Sequence, residues 1–186
     1  MHGIVHKTLK EYVVSRTDED TWETVLERAG IEPRLYLPVT TYADDEIDAI
    51  LATLSSMATQ NRAQIERDFG RTLAPELRTT FTAHIRDDDC FAALENLAVI
   101  VESVDASSDE TALPTVTGRR EGADRVRVTY RTHREPTYCG LARGLLEGFV
   151  ATFDDAGAEA TTVTKVACVE DGGDACVFFV ERERDG

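Results

Sequence analysis

Apolar residues in the first hundred positions recur every three to four residues, the spacing that lays one stripe along a helix. Ile4, Val5, Leu9, Tyr12 and Val13 form such a stripe between Ile4 and Val14. Asp20 stands as a cap before Trp22, Val25 and Leu26, and Gly30 follows as a stop. After a turn region from Pro33 to Pro38, Asp44 introduces a third stripe of Ile47, Ile50, Leu51 and Leu54. A fourth helix is expected from near Thr59, carrying Ile65 and Phe69 and stopping at Gly70. Two further helical pieces are predicted over Pro75 to Ile85 and Phe91 to Val104, the second turning Leu94, Leu97, Ile100, Val101 and Val104 inward.

The period then changes. Beyond the polar run Asp105 to Thr111, Val126, Val128 and Tyr130 alternate with polar residues as a half-buried strand does, and Thr115 to Thr117 can pair with it across a turn from Gly118 to Asp124. Pro136 opens a helix through Phe153 whose apolar side is Leu141, Leu145, Leu146, Phe149 and Val150. A hairpin closes the chain: Thr162 to Cys168, a turn from Glu170 to Asp174, then Cys176 to Glu183. The expected class is α+β, an N-terminal helical part followed by an antiparallel sheet of about four strands with a helix packed across it. Residues 1–186 read as one domain.

Charge narrows the function classes. The 186 residues hold 35 acidic and 20 basic side chains, a formal charge of -15. A polyanion repels phosphates, so nucleic acid is not an expected partner. Only Lys7, Lys10 and Lys165 are lysine and the remaining basic residues are arginine, a bias that suggests a halophilic protein. At about 1 M salt the Debye length is roughly 3 Å, so crowded carboxylates stop repelling one another. No stretch reaches the ~18 apolar residues that span a bilayer, and the start from Met1 to Lys7 lacks a signal peptide's apolar region. A cytoplasmic protein without membrane insertion is expected, in which Cys90, Cys139, Cys168 and Cys176 are free thiols or metal ligands.

Two residue sets carry candidate chemistry. On one strand Tyr130, Thr132 and Arg134 would share a face, so that a phenol, a hydroxyl and a guanidinium converge. An arginine there can grip a carboxylate through two parallel charge-assisted hydrogen bonds. A hairpin turning at Gly172 would set Cys168 opposite Cys176, close enough for a disulfide or for two thiolates on one metal ion. Cys139, in the first turn of the helix crossing that sheet, can join them, and a helix N-terminus favours the thiolate form. Buried thiols without chemistry are the alternative.

Several strings together resemble the H-NOX, or haem nitric-oxide/oxygen-binding, family. They are Met1-His2-Gly3-Ile4-Val5, the Trp22-Glu23 helix ending Ala29-Gly30, Phe91 to Leu97, Tyr130-Arg131-Thr132-His133-Arg134, and Gly144 to Gly148. The resemblance implies a haem whose propionates are held by Tyr130, Thr132 and Arg134, and nitric-oxide sensing through an iron–histidine bond. It places the ligating position at Val101, and valine has no lone pair for iron; no His, Cys, Met or Tyr occurs from Phe91 to Thr129. His84 is the nearest substitute, with His2, His6 and His133 as other histidines. Some family members hold zinc on cysteines after the clamp motif and on the terminal hairpin and respond to oxidation, which implies Cys139, Cys168 and Cys176 here as zinc or redox ligands.

The implied role is a sensor or regulatory module of a signalling pathway, partnered with a histidine kinase, a nucleotide cyclase or a chemotaxis transducer. A cofactor-free scaffold domain, or a sensor of a non-haem molecule gripped by Arg134, are the alternatives. No nucleophile elbow, phosphate loop, paired-carboxylate motif or zinc-protease motif is present in the sequence, so no enzyme is expected, and Asp87-Asp88-Asp89 reads as solvated surface.

Overall fold

The computed structural model describes residues 2–83, 85, 89–105, 114–132, 135–153 and 160–182. Four helices come first: α1 (Gly3–Arg16), α2 (Glu19–Ala29), α3 (Asp44–Met57) and α4 (Arg62–Thr80). Short helices α5 (Cys90–Glu95) and α6 (Leu97–Asp105) lead into strands β1 (Thr115–Arg120) and β2 (Arg125–Arg131). Helix α7 (Cys139–Ala151) and the hairpin of β3 (Thr161–Ala167) and β4 (Cys176–Arg182) follow. The strands form one antiparallel sheet in the order β1-β2-β4-β3, the expected α+β class.

The caps follow local chemistry. Asp18, rather than Asp20, caps α2 by accepting from the Thr21 N–H at 2.7 Å, and Gly30 ends that helix at φ +71°. Asn61 and Gln64 make a reciprocal capping box at the start of α4. The helix expected to stop at Gly70 and the piece expected from Pro75 are one continuous α4. The expected helix over Phe91 to Val104 breaks instead at Asn96, which closes α5 before α6 begins.

Two cores result. Leu9, Trp22, Val25, Ile47, Ile50, Leu51, Ile65 and Phe69 fill the helical one. Phe91, Leu94, Val126, Val128, Phe178 and Val180 fill the one between the sheet and its covering helices. Helix α7 serves both, with Leu141 in the first and Cys139, Ala142, Leu146 and Val150 in the second.

What joins them is the contact between α4 and α7. Gly140, Gly144 and Gly148 recur every fourth residue on α7, so one side of that helix is bare. A Cβ at Gly144 would stand 2.0 Å from the Arg67 carbonyl oxygen, and one at Gly70 of α4 would stand 2.6 Å from the Leu141 oxygen. Glycine persists inside both helices because the backbones touch, despite costing roughly 1 kcal/mol of helix propensity relative to alanine. Glu147, also on α7, pins the pair electrostatically. It accepts from Arg67 Nη2 at 2.6 Å, Arg71 Nε at 2.8 Å and Arg143 Nε at 2.9 Å. Burial pushes its carboxyl up, but these guanidinium groups outweigh that and hold it below the usual carboxylate range.

Gly144→Ala is therefore expected to destabilise the protein by more than the ~1–3 kcal/mol usual for overpacking, since backbone must separate. Gly30→Ala, where nothing lies within 4 Å and only the left-handed φ is strained, should cost about 1–2 kcal/mol. Urea unfolding of the two variants compares them; equal losses would contradict the close seam.

Candidate functional site

Strand β4 and the start of α7 bring three thiols into the sheet core. Tyr138, at φ +52°, turns the chain into α7 so that Cys139 occupies its first position. Cys176 opens β4, and Cys168 follows β3, one step past the Ala167–Val177 pair. The Cys139 and Cys176 sulfurs are 2.6 Å apart and those of Cys168 and Cys176 3.4 Å apart, all three within 4.8 Å of one another. Each residue is buried. Tetrahedral zinc–thiolate geometry, with Zn–S near 2.3 Å, separates two sulfurs by about 3.8 Å. The cluster is of the right chemical type for one ion, which would draw Cys139 and Cys176 further apart, and Cys176 also stands close enough to either neighbour for a disulfide. Among the described residues no other group of three His, Cys, Asp or Glu ligand atoms gathers in this way.

The three thiols differ in acidity. Burial raises Cys139 well above a free cysteine and also raises Cys176. Burial also acts on Cys168, but the Glu170 backbone N–H, the neighbouring thiols and the Lys165 ammonium outweigh it and bring this thiol below its ordinary value. Cys168 is therefore the most acidic thiol of the set. Thr137 completes the surroundings: its hydroxyl oxygen is 3.3 Å from Cys139 Sγ and donates to Glu170 at 2.8 Å. Lys165, Thr137 and Glu170 were not legible as parts of a site, although Lys165 precedes Cys168 by only three residues. Cys90 lies in the same core but not among the three sulfurs.

Of the clamp residues, Tyr130 and Thr132 are among the described ones. β2 ends at Arg131, so Thr132 lies just beyond it. Tyr130 is 8% exposed and its hydroxyl donates to the Thr137 carbonyl at 2.9 Å, tying the strand to the chain that enters α7. Arg134, His133 and His84 fall outside the described residues, as do Asp87 and Asp88. Asp89 caps α5 through the Ala92 N–H and pairs with Arg182 at 2.6 Å.

The remaining histidines serve the fold. His2 caps α1 through the Ile4 N–H. His6 is wholly buried, its ring centroid 4.9 Å from that of Tyr36 and 5.0 Å from that of Tyr42, with Glu46 4.0 Å away. Burial, reinforced by positive charge that includes Arg34, lowers its pKa from 6.5 to about 4.

A family model described as haem-NO-binding matches residues 2–159. The chain therefore belongs to the H-NOX family, whose domains are sensor modules. Among solved structures, an H-NOX protein from S. oneidensis in the Fe(II)NO ligation state is 22% identical, with a TM-score of 0.86 over 99% of this chain and 100% of that one. A variant of an S. oneidensis H-NOX protein in the Fe(II) state is 23% identical, with a TM-score of 0.87 over 100% and 98%. The NMR structure of an H-NOX domain from Shewanella oneidensis in the Fe(II)CO state is 22% identical, with a TM-score of 0.83 over 100% of both chains. No curated protein matches the chain. No helix among the described residues is long and apolar enough to cross a membrane.

The residues present do not fit a haem ligated from α6. That helix, Leu97–Asp105, carries no His, Cys, Met or Tyr, the side chains that ordinarily ligate haem iron, and Val101 stands where the resemblance puts the ligand.

The lowered pKa of His6 has a pH consequence. As pH falls below 6.5 the unfolded chain takes up the proton before the native one, so stability present above pH 6.5 is lost progressively toward the folded value of about 4. The loss attributable to His6 approaches about 3 kcal/mol at the acid end. Urea midpoints measured across this range should fall less steeply for His6→Phe than for the native chain; parallel slopes would contradict the assignment.

Proposed function

We propose that this H-NOX-family domain is a regulatory sensor module whose input is the state of the Cys139, Cys168 and Cys176 cluster, read by a separate signalling protein. The observation that carries the reading is the convergence of three buried sulfurs within 4.8 Å on α7 and β4. Two inputs suit that geometry. Zinc would take the three thiolates, with a non-protein ligand such as water completing its tetrahedron. Alternatively the Cys168 thiolate reduces a peroxide: one oxygen transfers to sulfur, and Cys176 then displaces it as water. Overall two thiols lose two protons and two electrons, and the peroxide leaves as two waters.

Zinc acts directly at Cys139, the first residue of α7, and a Cys168–Cys176 disulfide withdraws the sulfur that lies 2.6 Å from Cys139; α7 is the helix shared by both cores. A histidine kinase, nucleotide cyclase or chemotaxis transducer is the partner type consistent with the family, and a cytoplasmic setting at high salt is consistent with the charge pattern. The clamp of Tyr130, Thr132 and Arg134 remains the propionate site suggested by the resemblance, and haem held there would need an iron ligand from outside α6.

Metal analysis of protein purified without chelator is expected to give one zinc per chain, falling to none in Cys139→Ser with Cys176→Ser. Peroxide treatment of the zinc-free chain should remove two titratable thiols, with Cys176 in the resulting disulfide. Absence of both zinc and an oxidisable pair would defeat the reading. A Soret band that shifts with nitric oxide in the same preparation would instead place the input at haem.

A further inference from the structure

Positively charged side chains gather on one surface of this acidic chain. Along β2 the residues Val126, Val128 and Tyr130 are buried, so Arg125, Arg127, Thr129 and Arg131 project to the other side of the sheet. Thr115, Thr117 and Arg119 of β1 share that side, as do Phe179 and Glu181 of β4 and Thr162 and Thr164 of β3. Helices α5 and α7 pack on the opposite side. Among the described residues the outward face thus presents four guanidinium groups against the carboxylates of Glu181 and of Glu121 at its edge, with threonine hydroxyls between them, on a chain whose formal charge is -15.

The register makes this arrangement costly for the isolated fold. Arg119 stands directly opposite Arg127. Like charges at facing positions of neighbouring strands destabilise a sheet. Glu121 and Glu181 offset part of this, lying 3.6 Å from Arg125, and Glu121 lies 3.6 Å from Arg127 as well. Among the described residues Arg119 and Arg131 have no carboxylate partner. Arg125 also stacks over Phe179, 4.6 Å from its ring centroid, which holds that guanidinium on the face beside an aromatic surface.

We propose that this face docks an acidic segment of the signalling partner, a proposal that rests on the reading of the domain as a module with a separate partner chain. Arginines on adjacent strands, about 4.8 Å apart, suit successive carboxylates of an extended or helical acidic stretch, each able to form paired hydrogen bonds. The excess of negative charge elsewhere on the chain repels a long polyanion such as nucleic acid but leaves a short acidic segment free to make local contact. In strong salt only such contact-range pairing persists, because longer-range attraction is screened.

The test is fluorescence anisotropy of a short labelled poly-glutamate peptide titrated with the full chain, in moderate and in molar potassium chloride. Saturable binding is expected. Arg119→Ser with Arg131→Ser should weaken it about tenfold or more, with Tm at or above the native value because a like-charged pair has been removed. The equal charge change Arg16→Ser with Arg28→Ser, on α1 and α2, should leave it unchanged. No saturable binding, or equal weakening by both pairs, would overturn the proposal. So would tighter binding of a single-stranded oligothymidylate that is lost on the same face variant. Repeating the titration with peroxide-oxidised chain tests the thiol input separately: an unchanged affinity counts against coupling of the cluster to docking, not against the docking face itself.

Discussion

Everything else in the structure is arranged around the approach of α4 to α7 at backbone contact. Gly140, Gly144 and Gly148 remove side chains from one edge of α7, and Gly70 removes one from α4 where the Leu141 carbonyl presses in. Without that approach Leu141 would not reach the helical core while Leu146 and Val150 reach the sheet core. The guanidinium groups of Arg67 and Arg71 then hold α7 in place through Glu147, across a distance in sequence of about eighty residues. A seam with no side chains to cushion it is not continuously deformable, so displacement of one helix must be followed by the other.

This places the thiol cluster at a mechanically sensitive point. Cys139 immediately precedes the first seam glycine, Gly140, whose Cβ would collide with Glu66 and Ala63 of α4. A zinc ion on Cys139, Cys168 and Cys176 would pull on the start of α7 directly, a Cys168–Cys176 disulfide would withdraw the sulfur packed against Cys139, and the seam would convey either change to α4 and the helical core. The same α7 carries no covering for the outer face of the sheet, where the arginines lie. The thiol cluster and the proposed docking residues therefore occupy the two sides of one sheet, with β4 contributing Cys176 to one and Phe179 and Glu181 to the other.

Much of this was legible in the amino-acid order. Stripe spacing located the helices, alternation located β2, and symmetry about Gly172 brought Cys168 to Cys176. Family strings indicated the H-NOX fold. Local rules failed where a residue's reason was nonlocal. Gly70 and Pro75 read as helix breaks, yet α4 runs through both, because Gly70 answers to the α7 backbone and one proline removes a single helix hydrogen bond. The Glu147 hub was hidden because only Arg143 is its neighbour in sequence. The tie between the Tyr130 hydroxyl and the Thr137 carbonyl was likewise hidden, because it joins a strand to the chain entering α7. The Arg119–Arg127 pair needed the observed register, in which β1 runs on to Arg120 through positions expected to be turn.

The central claim is that events at the cysteine cluster are felt across the glycine seam. Hydrogen–deuterium exchange of reduced and peroxide-oxidised chain measures this most directly. Altered exchange is expected in α4, Arg62–Thr80, together with α7, although no cysteine lies in α4. A change confined to the β3–β4 hairpin and the first turn of α7, with α4 exchanging identically in both states, would contradict it.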